Sequence, residues 1–260
     1  MTDVVVNPIQ KPSRFNWQWV LEVLIKPRRA FAAITSQNRS VWLTPILILT
    51  LTALILVVVA GPIKLQAILS GGPALPPDFE YWGPEQQAQF QKAAEATQSP
   101  VFIYVFPALL AVGGVWLGWL LVGGLLHLVL TLLGGRGSTG VSMNLVAWAA
   151  LPFALRDLVR IVAMLGTHRL IENPGLAGFA PTGEAWYLVF AGKLMNLVDI
   201  YLIWHIVLVM IGVTAGIGLS RRKAMGGALV TLFLVLALQA LLGYASTIFS
   251  GMSISRPFFF

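Results

Sequence analysis

The chain has no cysteine among its 260 residues. That absence excludes disulfides, thiolate metal sites and cysteine nucleophiles, and it leaves the redox compartment open. Charge is almost as scarce: Lys, Arg, Asp and Glu make up 10% of the chain, against 57% hydrophobic residues. A soluble domain carries about 25% charged residues, so this sequence lacks the polar side chains to clothe a surface in water. Enzyme signatures are missing too. There is no His-Glu-x-x-His pair, no phosphate loop with its lysine, and no Gly-x-Ser-x-Gly elbow. Asp157 and Asp199 stand in Arg-Asp-Leu and Val-Asp-Ile, without the glycine-rich or tyrosine setting of an intramembrane aspartyl protease. The chain therefore offers no catalytic residue, metal ligand or cofactor site and is expected not to be an enzyme. An early apolar run is also lacking, and Asp3, Lys11 and Arg14 precede a mixed segment, so no cleavable leader is expected.

What the sequence has in abundance is long apolar stretches, at residues 41–60, 101–133, 141–165, 186–218 and 228–248. Each matches or exceeds the roughly 20 helical residues that cross a hydrocarbon core of about 30 Å. Unpaired backbone groups cost several kcal/mol in lipid, so these stretches must be helical. The expected fold class is an all-α integral membrane protein, a bundle of five transmembrane helices. One membrane domain is expected at 41–248, with an external loop at 61–100. Residues 1–14 read as a flexible tail, 15–40 as interfacial amphipathic helices and 249–260 as an external tail, whose Arg256-Pro257-Phe258-Phe259-Phe260 would rest at the outer interface or in a partner's groove.

The net charge of +7 arises from where the basic residues sit. Lys11, Arg14, Lys26, Arg28, Arg29 and Arg39 precede the first span, Arg136 follows the second, and Arg221, Arg222 and Lys223 follow the fourth. The intervening links are balanced or acidic, with Asp78, Glu80, Glu85, Glu95, Glu172 and Glu184 against Lys64, Lys92 and Arg169. Cytoplasmic loops carry the excess of Lys and Arg. The N-terminus is thus expected in the cytoplasm and the C-terminus outside, most naturally in a prokaryotic cytoplasmic membrane. This bias explains the basic pI, and no nucleic-acid partner is expected.

Along 15–36, Trp17, Val20, Leu21 and Leu24 recur at helical spacing, and Pro27 is a good first-turn residue for a second helix carrying Phe31 and Ile34. Lys26, Arg28 and Arg29 are expected to contact inner-leaflet headgroups. The first span is expected to end at Gly61-Pro62, and 84–98 reads as a soluble helix whose Phe90 packs onto the membrane domain. Stretches of about 33 helical residues would reach about 50 Å, so the second and fourth must tilt, kink or continue outside. Pro107 and Gly113-Gly114 are the expected kink points of the second, and Pro152 should bend the third. Gly114 with Gly118, and Gly212 with Gly216, have the spacing that lets helices approach closely.

Polar residues inside the spans carry what chemistry there is, because they are costly there. Arg156, Asp157 and Arg160 lie in the third span, with Asp157 and Arg160 three apart on one face. Gly192, Lys193, Asn196 and Asp199 form a stripe on the fourth. Depth counting predicts an interhelical Arg156–Asp199 pair, either a structural clasp or a site for an ion, proton or lipid headgroup. His127 and His205 read as hydrogen-bonded interior residues.

The order of motifs resembles the Yip (Ypt-interacting protein) domain family of five-span membrane proteins, in its prokaryotic form. The resemblance rests on VLIKPRRAFAAI at 23–34, WLTP at 42–45, LGGRGS at 133–138 followed by NLVAWAALP at 144–152, and NLVDIYLIW at 196–204 followed by Gly212 and SRRKA at 220–224. It implies a cytosolic N-terminus and an external C-terminus, and transfers no catalytic residue. Eukaryotic members act in early secretory membranes and bind small prenylated GTPases, a role not carried over to a chain with so short a cytosolic tail. The expected function is a membrane scaffold or accessory subunit. Its partners would be the lipid bilayer and another membrane protein or a second copy. The alternatives are a small transporter or channel using Arg156 and Asp199, or a lipid-handling, membrane-shaping protein.

Overall fold

A computed structural model describes residues 15–250, apart from 38, 72–75, 77–78, 172–173, 182, 184 and 217. The expected tails at 1–14 and 251–260, with Arg256–Phe260, lie outside the described residues. Among the described residues there are helices and turns and no strand.

Two short helices open the chain, α1 at Gln18–Ile25 and α2 at Pro27–Thr35. Pro27 stands in the first turn of α2 and separates it from α1, because proline cannot donate to a preceding turn but fits a helix start. Each helix buries one face: Trp19 and Val23 on α1, Ala30, Phe31 and Ile34 on α2. Both therefore belong to the folded core.

α3 spans Leu43–Gly71 and runs through Gly61 and Pro62, where the sequence pattern predicts its end. The proline forfeits one hydrogen bond, but the contact beside it is favourable: an added Cβ on Gly61 would strike the Tyr104 ring, so glycine lets that ring close on α3. The segment that follows is shorter than predicted and contains α4 at Pro84–Thr97. Phe90 of α4 does not reach the membrane domain's core. It stacks with Phe79 and Trp82 at 5.3 and 5.9 Å, a small aromatic knot within the loop.

A wide π-type turn at Val101–Val105 leads into α5 at Phe106–Leu132. Irregularity thus falls just before Pro107, and the helix passes unbroken over Gly113 and Gly114. α6 spans Thr139–Ala149 and α7 Leu151–Thr167. The break between them comes two residues ahead of Pro152, whose missing amide ends the ladder. α8 at Trp186–Leu197 and α9 at Ile200–Gly216 are bent by 71° at their junction, and α10 runs Arg221–Ser250.

Among the described residues three helices are long and apolar enough to cross a membrane, and the bent α8–α9 pair would make a fourth. Of the five stretches predicted from apolar length, three are thus single helices of crossing length. Two of the five stretches are broken, one by Pro152 and one around Asp199.

At the centre lies α6, with Leu145, Val146, Ala147, Trp148 and Ala149 all buried. It contacts α5, α9 and α2. Asn144 ties it to the link before α3: its Oδ1 accepts from Val41 N–H at 2.8 Å and its Nδ2 donates to Arg39 O at 2.9 Å. Trp148 Nε1 donates to Val41 O at 3.0 Å. Buried polar backbone in an apolar setting must be paired, and these side chains do that for a non-helical link.

Candidate functional site

The charged cluster forms where the two broken helices meet. In α7, Asp157 points toward α3, and its Oδ2 lies 3.4 Å from the Thr52 hydroxyl, within reach as an acceptor. Arg156 points along α7 toward α9. Its Nη1 is 3.5 Å from Asp199 Oδ2 and its Nε 3.8 Å from Asp157 Oδ1. The guanidinium also lies over the Phe153 ring, 4.8 Å from the centroid. The Arg156 side chain is 28% exposed, Asp199 13% and Asp157 10%. One cation thus bridges two carboxylates on separate elements.

Asp199 sits in the α8–α9 break, where it also caps a helix. Its Oδ1 accepts from Leu202 N–H at 2.8 Å, satisfying one of the orphan amides at the start of α9. The predicted stripe of Gly192, Lys193, Asn196 and Asp199 is consequently not continuous, because the helix that would carry it stops at Leu197. Lys193 instead lays its stem against α10, its carbons 3.7 Å from where a Cβ on Gly243 would be. The Asn196 carbonyl lies against Gly175, 3.1 Å from where a Cβ there would be.

The break is closed by a loop whose role the sequence pattern did not signal. Leu176 N–H donates to Val198 O at 3.0 Å and to Met195 O at 3.1 Å, where it joins the Val198 N–H that caps α8. Gly175 approaches so closely that a Cβ would fall 2.5 Å from Val198 O and 3.1 Å from Asn196 O, and its φ is +63°. Only glycine meets both demands. The sequence cue was Pro174-Gly175, a turn dipeptide.

The α6–α7 break is closed in a parallel way. Phe153 N–H bonds Ala150 O at 2.9 Å, and Ala149 O is met by His205 Nδ1 from α9 at 2.8 Å. A carbonyl only accepts, so Nδ1 carries the proton in this contact. Phe153 lies between the imidazole, 5.0 Å away, and the Arg156 guanidinium.

The remaining predicted residues lie apart. Arg160 forms no ion pair with Asp157, because that carboxylate is turned toward α3. Lys26, Arg28 and Arg29 are exposed on α1–α2, and His127 is half-buried on α5. Gly212 and Gly216 are close-contact positions: a Cβ on Gly212 would lie 2.7 Å from Leu145 and 3.1 Å from Phe31, and one on Gly216 would strike Thr35. Gly114 and Gly118 are not, since a Cβ on either would meet nothing within 4 Å beyond the helix itself. Gly123 takes that role on α5, against Met143. A cleft of about 680 Å³ opens between Gln66, Ser70, His168 and Arg169, more than two helical turns along α3 from Thr52. Among the described residues no group of His, Asp and Glu could hold a metal.

A family profile described as the Yip1 domain matches residues 21–248, from α1 to the last turns of α10. No curated protein and no solved structure matches the chain.

Proposed function

Because the chain belongs to the Yip1 domain family of membrane proteins, we propose that it is a non-enzymatic scaffold or accessory subunit of a membrane complex, and that the Arg156 cluster is a structural clasp. The observation that carries this reading is the occupancy of both carboxylates. Asp157 is engaged by Thr52 and Arg156, and Asp199 by the Leu202 amide and Arg156. A cation site or proton relay needs a carboxylate with capacity to spare, whereas a clasp needs each charge matched in low dielectric. The clasp holds two interrupted helices in one arrangement and leaves the outer helix faces available to a partner. The charge distribution supports an N-terminus in the cytoplasm and a C-terminus outside a cytoplasmic membrane, with each broken pair counting as one crossing.

Purification in mild detergent, with mass spectrometry of what remains bound, tests the proposal. A stoichiometric membrane partner is the expected result. A lone monomer or homodimer would overturn the accessory-subunit reading.

One observation favours a second reading. Discontinuous helices lining a polar cluster are where secondary transporters bind substrate, and the α6–α7 and α8–α9 breaks meet at such a cluster. Under this reading Asp199→Asn abolishes flux in liposomes. Unchanged flux across the ions and solutes tried removes it.

A further inference from the structure

The fold leaves one apolar ridge at the N-terminus uncovered. Trp17, Leu21 and Ile25 recur every fourth residue at the start of and along α1, and they are 61%, 66% and 71% exposed. Rotation of α1 cannot hide them. Its opposite face is committed, with Trp19 edge-on to Trp148 at 5.6 Å and Val23 fully buried. Asn16 N–H adds a buried bond to Thr44 Oγ1 at 3.0 Å, which pins the entry to α1 against the start of α3. A ridge of this size standing in water would be unfavourable by the transfer cost of three large side chains.

Next to the ridge lie three exposed cations. Lys26, Arg28 and Arg29 form no ion pair among the described residues, and Glu22 is the one acid on α1, half-buried on a different face. Lys26 directly follows Ile25, so its aliphatic stem prolongs the apolar ridge while its ammonium reaches beyond it. Large apolar side chains bordered by exposed cations match the layering of an anionic bilayer, with acyl chains beside phosphate.

We propose that α1 is a wedge laid into one leaflet, its Trp17–Leu21–Ile25 ridge among the acyl chains and Lys26, Arg28 and Arg29 gathering anionic phospholipid around it. The wedge requires only that the chain lies in a membrane and is independent of whether it has a protein partner. Since α1 is bound to one end of the bundle, it adds area to a single leaflet.

The absence of cysteine makes the test clean. Ile25→Cys and Leu21→Cys, with Trp17→Cys in reserve, are each labelled with bimane in the full-length protein. They are reconstituted in vesicles of phosphatidylcholine with phosphatidylglycerol. These side chains are exposed, so the substitutions are expected to leave folding intact, which matched gel-filtration profiles check. Brominated acyl chains should quench both labels and aqueous iodide should not. Brominated phosphatidylglycerol should quench the Ile25 label about fivefold more effectively than brominated phosphatidylcholine, the equivalent of about 1 kcal/mol for a basic residue at the surface. Lys26→Gln, Arg28→Gln and Arg29→Gln together should bring that ratio close to one. Quenching by iodide would overturn the wedge. Protection from both lipid and iodide would mean that protein, such as a second copy, covers the ridge. Equal quenching by the two lipids would overturn the anionic selection.

Discussion

Arg156 contributes by touching two carboxylates at once, Asp157 beside it and Asp199 across the interface. Removing either end of the interhelical contact leaves a charge in an apolar setting. Arg156→Gln and Asp199→Asn should each lower thermal stability in detergent by about 1–2 kcal/mol, less than for a fully buried pair because the guanidinium is partly exposed. Exchanging the two residues should recover part of the loss. A double-mutant cycle with no coupling would show that the contact does not bind the helices. Asn144 makes a separate contribution, through two bonds to the link before α3. Asn144→Ala strands a buried amide and a carbonyl, and a loss of about 2–3 kcal/mol is expected in the same assay.

At the scale of the element, close approach depends on which glycines face a neighbour. Gly212 meets Leu145 and Phe31 where α9 crosses α6 and α2. Gly212→Leu should therefore destabilise by about 1–3 kcal/mol through overpacking. Gly118→Ala on α5 meets open space and should stay within about 0.5 kcal/mol of the parent. Equal losses at the two positions would contradict the packing described. Sequence spacing alone treats the two glycine pairs as equivalent, because a four-residue interval marks a face without indicating what stands opposite. Breaks show the same division. Pro152 announces an interruption by its missing amide, and the α6–α7 joint lies beside it. No such residue stands at 198–199. That bend is held by Gly175, Leu176 and the Asp199 cap, two of them more than twenty residues away in sequence.

At the scale of the whole molecule, the bundle is organised around α6, and the N-terminal helices are part of it. Ala30, Phe31 and Ile34 of α2 are fully buried against α9 and α6. Phe31→Ala should cost about 3 kcal/mol or more, seen as a lowered unfolding temperature. A detachable anchor would show almost no change. Topology is testable with the cysteine-free chain as background. A cysteine replacing Lys92 on exposed α4 should react with an impermeant maleimide on intact cells, and one replacing Arg136 should react after permeabilisation alone. The reverse pattern would invert the proposed orientation.

Residence in a membrane was legible in the sequence, since apolar length and the want of charge are properties of composition and need no knowledge of neighbours. The same holds for the all-helical class, which lipid imposes on any spanning backbone, and for the family, whose motifs recur in order between 21 and 248. The tertiary structure decided the rest. It divided two apolar stretches into helix pairs, one of them bent by 71°, carried α3 through Pro62, turned Asp157 toward Thr52 and away from Arg160, and set Asp199 as a helix cap within reach of Arg156. Each of these depends on what lies across an interface. A one-dimensional pattern of apolar and polar residues specifies which face a side chain occupies, and only packing specifies the partner it finds there.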